Sequence, residues 1–142
     1  MEISQHGIDF MKDQEVFSAI PYKDVGKKPT IGYGHLIKFG ESFTKLTKEE
    51  ATLLFEKDLE WAEFCVNNQV KVPLTQNQYD ALVSLVFNIG VGKFFASTLL
   101  HFLNKKDYKG ASEQFLRWIY VKGKKCHGLE NRRAAEKEIF DS

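Results

Sequence analysis

Two carboxylic acids nine positions apart sit in contrasting surroundings. Ile8, Met11 and Glu15 fall at i, i+3 and i+7 of a helix expected over about 4–17, so a carboxyl closes an apolar stripe. Burial there favours the protonated form, which can serve as a general acid. Asp24 lies in a polar run beside Lys23 and before Lys27 and Lys28, surroundings that favour the ionised form. One protonated and one ionised carboxyl are what glycosidic-bond hydrolysis needs, the first giving a proton to the leaving oxygen and the second acting as base or nucleophile. Thr30, expected across a hairpin from Asp24, has a hydroxyl suited to holding a water. A Glu at a helix end and an Asp in a turn are also common where no such chemistry occurs, so spacing alone does not decide the matter.

Asp58 is a different acid. It falls inside the apolar stripe Ala51, Leu54, Phe55, Leu59, Ala62 and Val66, where an unpartnered charge would be strongly disfavoured. His35 is its expected partner in a structural ion pair rather than a metal site, because no third and fourth ligand stands at suitable spacing. His6, His101 and His127 have no recognisable nucleophile beside them. Cys65 and Cys126 match neither a metal motif nor a disulfide framework and are read as free thiols. Gly32 and Gly34 lack the Lys-Ser/Thr and following helix of a phosphate loop. No metal or organic cofactor is expected. Phe87, Phe94, Phe95, Phe102, Phe115 and Trp118 read mostly as core by helical spacing, with Tyr33 and Phe87 lining a cleft.

These residues must be positioned by a mixed fold. The run Tyr22 to His35 reads as strand, turn, strand, with Gly26 in the turn and Pro29 at an edge. Thr47 with Glu50, and Thr75 with Gln78, are capping boxes that open a long amphipathic helix and a nearly all-apolar one closed by Gly90. Further helices are expected at about 97–104, 108–118 and 129–140. The 142 residues suffice for one well-buried domain, 1–142, of α+β, mostly helical class.

Net charge is +1, with 8 Lys/Arg against 11 Asp/Glu in residues 1–60 and 12 against 8 in residues 61–142. The basic second half reads as a solvated face. Basic residues are not interleaved with exposed aromatics, so nucleic-acid binding is not expected. The start of the chain lacks a signal-peptide pattern and no segment approaches eighteen uninterrupted apolar residues, so a soluble cytoplasmic protein without stable membrane insertion is expected.

The hairpin Tyr22-Lys-Asp24, Gly26 and Thr30-Ile-Gly-Tyr-Gly-His35, with Glu15 before it, resembles the signature of phage-type lysozymes, glycoside hydrolase family twenty-four, the lambdoid-phage endolysins especially. Gln76-Asn-Gln-Tyr-Asp-Ala-Leu82, Phe87-Asn-Ile-Gly90 with Ser97-Thr-Leu-Leu100, and Arg117-Trp118 followed by Gly128-Leu-Glu-Asn-Arg-Arg-Ala-Ala-Glu136 agree in the same order. The resemblance implies a lysozyme-like two-lobed fold with a small β-hairpin lobe, a connecting helix and a helical lobe, the substrate lying in the cleft between lobes. It implies that Glu15, Asp24 and Thr30 hydrolyse the bond between N-acetylmuramic acid and N-acetylglucosamine of bacterial peptidoglycan, Glu15 as acid and Asp24 with Thr30 positioning water. That is an inverting displacement; Asp24 as a covalent nucleophile is the alternative.

By the same resemblance, Arg132 approaches the catalytic Glu, and Leu36, Phe87, Asn88 and Thr98 face the sugar chain. Dependence on a holin-type membrane pore to reach the wall from the host cytoplasm is also implied, and a monomer is the default expectation. Val16 and Pro29 depart from the family pattern near the acid and the Thr, as do Lys122 and Cys126-His127 in a later loop. A catalytically silent peptidoglycan-binding module, and a lytic transglycosylase or chitinase, are the competing readings.

Overall fold

The two capping boxes form as expected. Thr47 N–H donates to Glu50 Oε1 at 2.9 Å and Glu50 N–H to Thr47 Oγ1 at 3.1 Å, opening α2 (Lys48–Gln69). Thr75 and Gln78 repeat the exchange at 2.9 and 3.1 Å to open α3 (Gln76–Ile89). Each box satisfies donors that a helix start leaves orphaned. The structure, a computed structural model, describes residues 1–142 and has seven helices and two small antiparallel sheets, an α+β architecture. By its internal contacts it divides into two units, residues 8–60 and residues 1–7 with 61–142.

In the unit of residues 8–60, α1 (Gln5–Gln14) ends three residues earlier than the periodicity suggested. The chain turns extended after Glu15, and Phe17 packs against Tyr33 with ring centroids 5.3 Å apart, a burial that a continued helix would forfeit. In place of a two-stranded hairpin there is a three-stranded sheet, ordered β1 (Ser18–Lys23), β2 (Pro29–Gly32) and β3 (His35–Leu36). Pro29 therefore opens the central strand rather than an edge; it needs no N–H there, and its carbonyl accepts from Ile37 N–H at 2.9 Å. Pro21 is the edge-strand proline, inside a break in the β1–β2 register between Ser18 and Tyr22. Ile31 pairs with His35 and packs with Leu46 and Ala51 to make this unit's small core. Thr30, paired with both Tyr22 and Leu36, projects from the opposite face.

In the other unit, every residue of α3 from Tyr79 to Val86 is buried, the polar Asp80 and Ser84 along with the apolar run that carries them inward. Its main partner is α7 (His127–Asp141). Residues 1–7 are tied down by side chains far along the chain: Glu63 accepts from Ile3 N–H at 2.9 Å and Asp80 from Ser4 N–H at 3.0 Å. A β-carbon on Gly7 would stand 2.8 Å from Asp80 Cγ, so glycine is what lets the chain pass there.

α5 (Thr98–Asn104) agrees with expectation, while the segment expected as one helix over 108–118 is α6 (Tyr108–Gln114) followed by a 3-10 turn at Phe115–Arg117. A short helix and a second hairpin were not foreseen. The five-residue α4 (Val91–Phe95) starts after Gly90 at φ 95°, turning Phe94 inward and leaving Phe95 64% exposed, so Phe95 is not core. β4 (Tyr120–Val121) and β5 (Lys124–Lys125) form a tight hairpin through Lys122 and Gly123, both at positive φ. Both cysteines are free thiols.

Candidate active site

Glu15 follows the last turn of α1, its N–H donating to Met11 O at 2.9 Å, so the helix aims the side chain even though the residue lies beyond it. The carboxyl rests over the turn between β2 and β3. A β-carbon on Gly34 would come within 3.1 Å of Glu15 Oε2, and Gly34 sits at φ 79°. Glycine is required there for both space and conformation.

Asp24 leaves β1 into a turn that it largely builds itself. Its N–H donates to Lys28 O at 3.0 Å, its carbonyl accepts from Lys27 N–H at 2.8 Å, and its Oδ1 accepts from Lys28 N–H at 2.8 Å. The left-handed residue of the turn is Lys27, at φ 61°, rather than Gly26. Because this turn closes Asp24 against Lys28, the residue across the hairpin from Thr30 is Tyr22 and not Asp24.

Thr30 is 2% exposed and its hydroxyl donates to Lys28 O at 3.0 Å. Tyr22, its cross-strand neighbour, reports on both acids. Burial holds the phenol above its ordinary pKa, and the negative charges of Glu15 and then Asp24 push it further. Glu15 and Asp24 thus both bear on Tyr22, the strand partner of Thr30 and a residue that sequence reasoning did not single out. The signal was chain position: Tyr22 lies two residues before Asp24, in the strand that leads into its turn.

On the other face of the sheet, buried His35 meets two carboxylates: Asp58 Oδ2 at 2.7 Å from Nδ1 and Glu41 Oε1 at 3.0 Å from Nε2. A neutral ring donates to one such partner, a protonated ring to both. Glu41 was not anticipated. The Lys38 backbone N–H, then the His35 hydrogen bond, hold its carboxyl below the usual carboxylate range.

The remaining expected residues lie on other elements. Leu36, 46% exposed, is in the Tyr22–Thr30–Leu36 row of β1, β2 and β3. Phe87, on α3, stacks on Trp61 with centroids 5.5 Å apart and planes 22° from parallel. Asn88 is exposed at the end of α3, and Thr98, at the start of α5, borders a pocket of about 300 Å³ with Gln114, Arg117 and Trp118. Arg132, buried on α7, has its Nε 3.2 Å from Glu136 Oε2 and its Nη2 within 3.3 Å of Ser84 Oγ. The buried groups Ser84, Arg133 and Glu136 were missed, although Glu136 stands three and four residues after two arginines, the spacing of helical ion pairs. No cluster of three or more His, Cys, Asp or Glu side chains is arranged to hold a metal ion.

A family model described as phage lysozyme matches residues 12–136. The chain is 43% identical to an endolysin of Acyrthosiphon pisum secondary endosymbiont phage 1, with 100% of this chain and 99% of the relative covered. Among solved structures it is similar to a P22 lysozyme mutant, with a TM-score of 0.89 at 40% identity over 100% of this chain and 99% of that one. It is also similar to the muramidase domain of SpmX from Asticaccaulis excentricus, with a TM-score of 0.90 at 34% identity over 99% and 98% of the two chains. The chain therefore belongs to the phage lysozyme family and is a lysozyme, a hydrolase of peptidoglycan.

Proposed function

We propose that residues 1–142 act as one catalytic domain that cuts the β-1,4 bond between N-acetylmuramic acid and N-acetylglucosamine by single displacement. Glu15 gives its proton to the glycosidic oxygen as the bond to the anomeric carbon breaks. A water attacks that carbon from the opposite face and Asp24 takes the water's proton, so the configuration inverts. The observation that carries this reading is that both acids act on the Tyr22 phenol, which shares a sheet face with Thr30.

Thr30 supports the assignment of water to that side. Its hydroxyl hydrogen is committed to Lys28 O, so toward a water it offers only lone pairs. It would turn a water hydrogen toward itself, leaving a water lone pair free for the anomeric carbon. Leu36, Phe87, Asn88 and Thr98 are the residues assigned to the sugar chain. The role is lysis of a bacterial host by a monomer made in the cytoplasm, reaching the wall through a holin-type pore. In support, no helix is long and apolar enough to cross a membrane.

The test pairs turbidity loss of permeabilised Gram-negative cell walls with product stereochemistry. Clearing by wild type and none by Glu15→Gln of matched thermal stability is expected, with NMR of fresh product showing the inverted anomer. A retained anomer would make Asp24 the nucleophile, and an anhydromuramic product would make the enzyme a transglycosylase.

A further inference from the structure

Arg133 is the largest fully buried side chain of the protein, and its surroundings match its guanidinium incompletely. Nε lies 2.8 Å from Glu136 Oε1, an ion-pair contact without hydrogen-bond alignment, and neither Nε nor Nη1 has a hydrogen-bond acceptor. The other carboxylate oxygen of Glu136 already receives Ser84 Oγ and Arg132 Nε. The aligned bond left to Arg133 runs from Nη2 to Asn88 Oδ1, at 2.7 Å.

That bond determines the orientation of the Asn88 amide. A guanidinium has five donors and no acceptor, so the atom turned to it must be the amide oxygen. Flipping Asn88 would set NH₂ against a buried cation and remove its aligned acceptor. The Nδ2 hydrogens therefore point away from Arg133, on a residue exposed at the end of α3.

We propose that Arg133 is a positioning residue that makes Asn88 a one-way reader of the glycan, its Nδ2 hydrogens donating to the carbonyl oxygen of an N-acetyl group. This rests on the assignment of Asn88 to the sugar chain and deepens it. An acetamido carbonyl accepts a hydrogen bond. The ammonium left by de-N-acetylation only donates and carries positive charge, so a fixed donor opposes it. Arg133 thereby confers a preference for fully acetylated wall without touching substrate.

The experiment compares kcat and KM on soluble glycan strands that are fully N-acetylated and on the same strands partly de-N-acetylated. Wild type is expected to show a KM roughly 5- to 10-fold lower on the acetylated strands, the value of one oriented hydrogen bond. Asn88→Asp, at an exposed position, offers acceptors only and should lose or reverse that preference, read as the ratio of its KM values on the two strands. Arg133→Met removes the buried donor, leaves Glu136 held by Arg132 and Ser84, and frees the Asn88 amide to rotate. Arg133→Met should lose the preference, and Arg133→Lys, which keeps a donor toward Oδ1, should retain it. Wild-type KM ratios in both Asn88→Asp and Arg133→Met would overturn the inference and leave the lysozyme reading intact. Failure of wild type to cut either strand would overturn that reading and this inference with it.

Discussion

Gly34 lies directly beneath the carboxyl of Glu15: a β-carbon added there would stand 3.1 Å from Oε2, at a backbone φ of 79°. Gly34→Ala is expected to strain the left-handed turn by about 1 kcal/mol and to displace the Glu15 carboxyl. A shift of the acid by even part of an ångström should lower kcat on the order of 10²-fold. Urea denaturation beside turnover on soluble glycan separates the two effects. Unchanged kcat in a destabilised variant would show that Glu15 tolerates displacement.

The two aspartates of this unit should respond in opposite ways to the same substitution. Asp58→Asn weakens the 2.7 Å contact to buried His35 and should cost about 2 kcal/mol of stability while sparing turnover. Asp24→Asn keeps an oxygen for Lys28 N–H and should spare the fold while abolishing turnover. Equal losses of stability in the two variants would undermine the division between structural and catalytic acids.

The Tyr22 phenol offers a spectroscopic measure of the site. Its pKa is raised by burial, then by Glu15 and Asp24. A raised pKa in the folded state means that the contribution of Tyr22 to stability is complete below the unfolded value of about 10 and fades as pH climbs through the folded one. Ultraviolet titration should find its ionisation displaced upward in wild type and moved back down in Glu15→Gln. No movement in that variant would place Glu15 too far from Tyr22 to share a site with it.

Glu41 governs part of the acid limb. Its folded pKa is lowered by the Lys38 N–H and then by His35, so its contribution is present above the unfolded value of about 4.3 and lost as pH falls through the folded one. Thermal unfolding followed from pH 7 down to about 3 should show a shallower decline in Glu41→Gln than in wild type. Parallel curves would mean that Glu41 contributes nothing to this limb.

What the sequence determined was chiefly local. The boxes at Thr47 with Glu50 and Thr75 with Gln78 close within four residues, so their hydrogen bonds follow from residue type and helix geometry before any tertiary contact forms. Asp58 and His35 were legible for a related reason, since a charge inside an apolar stripe demands a partner. The end of α1 was not legible, because burial of Phe17 against Tyr33 outweighed a helical pattern that would have continued.

The surroundings of the site belong to the tertiary structure. Glu15 meets Gly34 across nineteen positions, and the Ser84 hydroxyl meets Glu136 across fifty-two. Those approaches depend on where two helices or a sheet and a helix end come to rest, which hydrophobic packing sets and short-range pattern does not. The orientation of Asn88 is the furthest consequence of that packing: its amide could face either way in the sequence, and only a buried guanidinium brought from forty-five residues away gives it one direction.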